Sequence, residues 1–243
     1  MTTQTDRALL ILRERILKGV YRGGEKLLTV SLAEALEISR TPVRAALSQL
    51  AEEGLLDRTT GGSFEVRSFS YADVRDTLIL RGTLEGLAAR LAATRGAVPE
   101  ALDEAEGILT ELDGCFDVAG DDVDHEGYSR LNLAFHATLP RMADSAVLAR
   151  ELERMMRLPF ASPSAFLPMK RSKTWVNRTF FVNQHEHRSI LQAIRDRDGA
   201  RAEALTREHA RTAMHNLEQM WTAAEGRDRD ELALIVGDYG ESD

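Results

Sequence analysis

Three histidines and one asparagine in the second half of the chain are spaced so that they can converge on a metal ion. His136 follows Asn132 by one helical turn, so both side chains project from one helix face. His187 and His209 lie the same number of residues before and after Asp198. If the chain turns near Asp198, the two helices form an antiparallel hairpin, and both imidazoles lie about 16 Å from the turn at ~1.5 Å per residue.

The neighbours of the three histidines indicate that the side chains point inward. His136 shares its helix face with Phe135 and Leu139, and the other two histidines also lie on apolar stripes. A single buried histidine is more often a hydrogen-bonded core residue than a ligand. Three convergent histidines with an oxygen donor favour a divalent transition metal, zinc or nickel. By helical spacing, His185 and Glu186 are expected to face away from such a site.

The segment 1–68 predicts a helix-turn-helix followed by a β-hairpin. Helical periodicity indicates a first helix over 7–20, and a second over about 30–36 with Thr29 or Ser31 as N-cap. A third helix begins at Arg40 with a proline in its first turn, where the missing N–H is not needed. Strand-like runs over 55–60 and 63–67 are separated by two glycines, which is a strong hairpin signal.

The third helix has the pattern of a DNA-recognition helix. One face is apolar and is expected to pack inside, namely Val43, Ala46, Leu47 and Leu50. The candidate DNA-binding residues lie on its outer arc and at the hairpin tip, and they are Arg40, Thr41, Arg44, Ser48, Gly61 and Gly62. Arginine can donate to the O6 and N7 edge of guanine in the major groove, and glycines allow close approach to a sugar-phosphate backbone.

The remainder of the chain predicts helices only, so the fold class is mainly α. Candidate helices span 71–93, 100–112, 124–142, 145–158, 174–195 and 200–223. We expect three segments, which are a winged helix-turn-helix domain (1–68), an all-α helical bundle for effector binding and dimerisation (69–226) and an acidic C-terminal tail (227–243). Within the tail, residues 232–236 either dock or add a short helix.

Charge is distributed unevenly along the chain. The segment 1–68 contains 10 Lys and Arg against 9 Asp and Glu, whereas the whole chain has a net charge of −8. Contact with nucleic acid is therefore expected only from the small first domain. No run of about 20 apolar residues and no signal peptide are found, so we expect a cytoplasmic protein without a membrane partner.

The N-terminal residues resemble the GntR family of bacterial regulators. The resemblance covers about 9–66, and its most specific part is Ser-Arg-Thr-Pro-Val-Arg-Ala-Ala-Leu at 39–47. It implies that Arg40 and Arg44 contact bases or nearby phosphates, and that Thr41 and the wing glycines position the protein. Ala45 and Val30 depart from the family pattern, which leaves the operator sequence open.

The segment over about 71–220 resembles the FCD effector domain of FadR/VanR-type regulators. Leu-Asn-x-x-Phe-His at 131–136 and Glu-His at 186–187 carry that resemblance. It implies a bundle in which a metal helps to bind a small carboxylate effector, with Asn132 where many relatives have aspartate. Arg81 is the candidate effector-binding residue, because a guanidinium matches a carboxylate in two hydrogen bonds. An ion pair between Arg81 and Glu85, one turn later, is an equally good interpretation.

Three functions fit these observations. The first is a ligand-responsive repressor or activator that binds double-stranded operator DNA. A homodimer is expected, because one domain contacts only a few base pairs and a second copy adds the second half-site. The second is a metal sensor, in which the ion is itself the signal. The third is a metal-dependent enzyme, but the sequence contains no HExxH, no G-x-S-x-G and no Cys-His arrangement. We therefore expect a regulator and not an enzyme.

Overall fold

The computed structural model describes residues 3–117, 122–158, 160–164, 173–223 and 234–236. The chain forms two compact units. Among the described residues, the first unit contains 3–75, 157–158 and those from Trp221 on, and the second contains those within 76–156 and 160–220. Among the described residues, no helix is long and apolar enough to cross a membrane.

The first unit is a winged helix-turn-helix. Its elements up to residue 70 are α1 (Gln4–Leu17), β1 (Lys26–Leu27), α2 (Thr29–Leu36), α3 (Arg40–Glu52), β2 (Leu56–Arg58), β3 (Phe64–Val66) and β4 (Phe69–Ser70). The apolar face predicted for α3 is confirmed, since all four of its residues are fully buried.

Helix α1 begins and ends three residues earlier than predicted. Thr3 and Asp6 form a capping box, in which the Asp6 N–H donates to the Thr3 hydroxyl (3.1 Å) and the Thr3 N–H donates to the Asp6 carboxylate (2.9 Å). Gly19, with φ of 70°, follows the end of the helix. Val20 therefore lies outside α1 and is 60% exposed, so its predicted place in the first helix is wrong.

The start of α2 also differs from the prediction. Its N-cap is Leu28, which has extended backbone geometry and no side-chain capping bond. Thr29 and Ser31 are both inside the helix, so the predicted caps are wrong. The Leu32 N–H donates to the Leu28 carbonyl (3.1 Å), which starts the helix from the backbone alone.

The wing is a three-stranded antiparallel sheet with strand order β1-β3-β2. Phe64 in the central strand pairs with Leu27 on one side and Arg58 on the other. The predicted hairpin is present, with strands shorter than the two strand-like runs of the sequence. Gly62 has φ of 76°, in the left-handed region that favours glycine. Strand β1 was not predicted, because two residues are too few to show alternation.

A second small sheet joins residues that are far apart in sequence. β4 pairs in parallel with β5 (Ile235–Val236). The alternative of a short helix over 232–236 is therefore wrong at the two residues that form β5. Leu234 is also described, whereas the remaining tail residues, 227–233 and 237–243, lie outside the described part of the chain.

The second unit is a bundle of α-helices. The long helices are α4 (Tyr71–Arg95), whose first turn belongs to the first unit, α5 (Pro99–Asp113), α6 (His125–Met142), α7 (Ala146–Met155), α8 (Lys173–Arg195) and α9 (Gly199–Ala223). The fold class predicted from the sequence is thus confirmed. Tyr128, Phe135 and Phe180 are fully buried in the core.

The hairpin of α8 and α9 turns where the sequence indicated. Arg197 adopts a left-handed conformation with φ of 59° between the two helices. The Asp198 carboxylate then accepts from the Arg201 N–H (3.0 Å) at the start of α9. Helix α7 ends at Met155, earlier than the predicted limit of 158.

Candidate metal centre and DNA-binding face

Three histidine side chains meet inside the bundle. His136 extends from α6, His187 from α8 and His209 from α9, and all three are buried. The Nε2 atom of His209 lies 3.1 Å from Nε2 of His187 and 3.3 Å from Nε2 of His136. The structure thus brings together the three histidines that sequence spacing singled out.

The second ring nitrogen of each histidine has an oxygen partner. Nδ1 of His136 lies 2.9 Å from Glu85 Oε1, and Nδ1 of His209 lies 2.7 Å from Glu186 Oε2. Nδ1 of His187 lies 3.3 Å from the Gln184 side-chain oxygen. Because a carboxylate or amide oxygen only accepts, Nδ1 carries the proton in each ring. The Nε2 lone pairs are then free to bind a cation.

Glu85, Gln184 and Glu186 are not recognisable as site residues from the sequence. Helical spacing predicts that Glu186 points away from the site, because adjacent helical residues differ in direction by about 100°. That prediction is wrong, because the Glu186 carboxylate contacts His209 on α9. The sequence signal for Glu85 is its position one turn after Arg81, which indicates an ion-pair partner and nothing more.

Burial lowers the pKa of two of the three imidazoles, His187 and His136. Burial is the main cause that holds the pKa of His187 well below its ordinary value, and the neighbouring imidazoles of His209 and His136 act in the same direction. Burial also lowers the pKa of His136, although Glu85 opposes that shift. Neutral imidazole is the form that binds metal. These residues fit a transition ion, because three nitrogens ~2.05 Å from a tetrahedral metal are about 3.3 Å apart.

Asn132 provides an oxygen beside the histidines. Its amide nitrogen donates to the Ser164 hydroxyl (3.1 Å), while its buried Oδ1 has no hydrogen-bond partner among the described residues. Asn132 and His209 line the same small pocket, together with Arg81. An unsatisfied buried acceptor at this place fits an oxygen ligand.

Arg81 is almost completely buried in the wall of this pocket, with 2% of the residue exposed. Its Nη1 donates to the Ala161 carbonyl (3.1 Å), and its Nε lies 3.6 Å from Glu85 Oε2. Burial raises the pKa of Glu85, but His136 and Arg81 together lower it by more, so the carboxylate stays charged. The ion pair with Glu85 is thus present, and Arg81 also lines the small pocket.

The pocket has further polar groups without hydrogen-bond partners in the part of the chain that the structure describes. The buried Oδ1 atoms of Asn183 and Asn216, which line it, accept no hydrogen bond there, and Arg81 Nε donates none. Each such group favours a polar ligand or water.

His185 and His215 are exposed and lie outside the histidine cluster.

In the first unit, the candidate DNA-binding residues form an exposed face. Arg40, Thr41 and Arg44 are exposed on α3, and Ser48 is half-buried. Both wing glycines are exposed, and a Cβ atom at Gly61 or Gly62 would meet no atom within 4 Å. The surface at the wing tip is thus open to a backbone that approaches it.

Comparison with protein families identifies both units. The profile described as bacterial regulatory proteins, gntR family, matches residues 4–66, and that of the FCD domain matches residues 76–212. The chain belongs to the GntR family. It is accordingly a transcriptional regulator with a helix-turn-helix DNA-binding domain and an FCD effector-binding domain.

Individual relatives agree with this placement. The GntR regulator is 30% identical to the Nta operon transcriptional regulator of Aminobacter aminovorans over 179 residues, which are 73% of this chain and 78% of the relative. It is 27% identical to the transcriptional repressor GlaR of Escherichia coli over 212 residues, which are 86% and 93% of the two chains. The solved structure of E. coli McbR/YncC has the same fold, with a TM-score of 0.64 at 21% identity, covering 91% of this chain and all of the other.

Proposed function

We propose that this regulator binds operator DNA as a homodimer, and that a small carboxylate effector held with a divalent metal modulates the binding. The observation that carries the proposal is the convergence of three histidines, in which Nε2 of His209 lies 3.1 Å from Nε2 of His187 and 3.3 Å from Nε2 of His136, and each ring has an oxygen partner at Nδ1. Carboxylate–histidine–metal arrangements of this kind fix the orientation of the ligands.

The metal would be held by His136, His187 and His209, with Asn132 as the oxygen ligand. Zinc or nickel suits this donor set, and the bound ion would act as a Lewis acid for the effector carboxylate. Arg81 lines the same pocket and brings a second positive charge to the site. A carboxylate is therefore the ligand chemistry that the pocket favours.

At the DNA, Arg40 and Arg44 would contact base edges or phosphates in the major groove, with Thr41, Ser48 and the wing glycines Gly61 and Gly62 setting the register. A single domain reaches few base pairs, and a homodimer doubles the contact on a pseudo-palindromic operator. The 27% identical E. coli relative is named a repressor, and we propose repression here as well. The protein would act in the cytoplasm, where its operator lies.

The test begins with an operator selected from genomic DNA by the purified protein. Its affinity is measured by fluorescence anisotropy with metal-free protein, with Zn²⁺ or Ni²⁺ alone, and with metal plus C2–C6 carboxylic acids. The proposal expects one acid to change the affinity at least tenfold, only when metal is present. A tenfold response to metal alone would instead indicate a metal sensor, and turnover of the acid would indicate an enzyme.

A further inference from the structure

A cavity of about 350 Å³ lies between α6 and α7. Leu133 and Ala137 are exposed at its mouth, whereas Glu85 and His136 are buried and form its inner end. Both helices supply apolar side chains to the walls, namely Leu133, Ala137 and Pro140 of α6 and Ala149, Leu152 and Met156 of α7. An apolar cavity of about 150 Å³ holds one benzene ring. The cavity between α6 and α7 therefore has room for a bicyclic molecule.

This cavity is distinct from the small pocket beside the histidine cluster. Arg81, Asn132 and His209 line that pocket, and none of them lines the cavity. Glu85 lies on the cavity side of its ion pair with Arg81. One of its oxygens accepts from Nδ1 of His136 (2.9 Å), and the other lies 3.6 Å from Arg81 Nε. A ligand in the cavity therefore needs no contact with a metal ion.

Two acceptor groups at the inner end are short of hydrogen bonds. Glu85 Oε2 is buried and has no hydrogen-bond partner among the described residues, because 3.6 Å to Arg81 is too long for one. The His136 carbonyl does not receive the usual helical hydrogen bond, because the residue four positions later is Pro140, which has no N–H. Buried acceptors of this kind favour a ligand that brings a donor.

The charges around the cavity disfavour an anionic ligand. Arg141 lines the cavity, but its two terminal nitrogens already donate to the Glu104 carboxylate (2.8 and 2.6 Å). Glu153 lines the cavity as well, and Glu85 stays charged at the inner end. A cation would gain little, because Arg81 already compensates Glu85 and the burial of a further ion is costly. The chemistry that fits is a neutral apolar body with one hydrogen-bond donor.

We propose that the cavity between α6 and α7 is a second ligand site, which binds a neutral alcohol or phenol with an apolar body. The hydroxyl donates to the Glu85 carboxylate, and the apolar body packs between the two helices. The site differs in place and in ligand charge from the carboxylate pocket of the proposed function. Because a hydrogen bond to a charged group is stronger than one to a neutral group, loss of the donor should weaken binding at least tenfold.

The first test compares three bicyclic probes on the full chain by isothermal titration calorimetry. 2-Naphthol carries the donor, 2-methoxynaphthalene lacks it, and 2-naphthoate carries a negative charge instead. 2-Naphthol is expected to bind at least tenfold more tightly than either of the others. This series tests the hydrogen bond without replacing Glu85, whose carboxylate also contacts Arg81 and His136.

A second test fills the cavity. Ala149→Phe places a ring in its wall and is expected to weaken the binding of 2-naphthol at least tenfold. Ala146→Phe is the matched control, because Ala146 is exposed on the same helix and lies outside the lining, and it should leave binding unchanged. His209→Ala, which lacks one of the three clustered histidines, should bind 2-naphthol within about threefold of the original chain.

Methyl NMR locates the probe without any change to the cavity. Met156 lines the cavity, whereas Met214 lines a separate pocket between α4 and α9. In a chain labelled with ¹³C-methyl methionine, the ring current of bound 2-naphthol is expected to shift the Met156 signal. The Met214 signal should stay in place.

The outcomes separate this inference from the proposed function. Absence of 2-naphthol binding, equal binding of 2-methoxynaphthalene, undiminished binding by Ala149→Phe, or a shift at Met214 without one at Met156 overturns the second site. Tighter binding of 2-naphthoate that is lost in His209→Ala places the probe at the histidine cluster, which overturns the second site and supports the proposed function. A chain that holds no metal and still binds 2-naphthol as described supports the second site alone.

Discussion

Replacement of Glu85 by glutamine should affect both metal binding and stability. Glu85 accepts from His136 (2.9 Å) and pairs with Arg81 (3.6 Å), and all three side chains are buried. Glutamine keeps the size and an acceptor oxygen but removes the charge. The Arg81 guanidinium then stays buried without its counter-charge, which costs about 3–5 kcal/mol. For a domain of this size, that corresponds to a fall in Tm of roughly 6–20 °C.

Glu186→Gln is the matched control for this variant. Glu186 also orients a histidine, at 2.7 Å from His209, but its side chain is 27% exposed and pairs with no arginine among the described residues. Loss of a carboxylate behind a metal-binding histidine lowers metal affinity about 10–100-fold, and we expect this for both variants. Only Glu85→Gln should also lower the Tm of the metal-free protein by the amount given above.

Calorimetry of metal-free protein and competition titration with a coloured chelator measure the two effects. The reasoning is refuted if metal-free Glu85→Gln melts at the temperature of the original chain, or if Glu186→Gln is destabilised as much as Glu85→Gln. Unchanged metal affinity in both variants would refute the role assigned to the Nδ1 partners.

Three further predictions concern single residues. Arg44→Ala should weaken operator binding by about 1–3 kcal/mol in fluorescence anisotropy, whereas Arg130→Ala in the helical unit should not. Leu47→Ala should lower the free energy of unfolding by about 2–5 kcal/mol in denaturant titration, because the side chain is fully buried, and the exposed Leu10→Ala serves as its control. Asn132→Asp should increase metal affinity in chelator competition by adding a charge to the oxygen ligand, and weaker binding would contradict its place at the metal.

Helical periodicity was sufficient to predict most of the fold. The residues of α3 alternate between buried and exposed with the period of a helix, so the buried face could be identified directly. Element ends were less predictable, because they depend on backbone geometry as well as side chains. Val20 continues the apolar pattern of α1 yet lies beyond the turn at Gly19, and Leu28 starts α2 without any side-chain cap.

Counting from the turn at Asp198 placed His187 and His209 level, because rise per residue is the same in both helices. The partners of their Nδ1 atoms could not be obtained in this way. The direction of Glu186 is determined by which helix lies beside α8, and the location of Glu85 next to His136 depends on how α4 packs on α6. Both depend on how helices pack against one another, which the periodicity of a single helix does not show.

The central claim is that three histidines hold a metal in the FCD domain, and native mass spectrometry with elemental analysis tests it most directly. The purified chain is compared with His209→Ala and with His215→Ala, whose histidine is exposed and outside the cluster. The account predicts about one zinc or nickel ion per chain in the original protein and in His215→Ala, and none in His209→Ala. A chain that binds no transition metal after incubation with Zn²⁺ and Ni²⁺, or a His209→Ala variant that retains the ion, would contradict it.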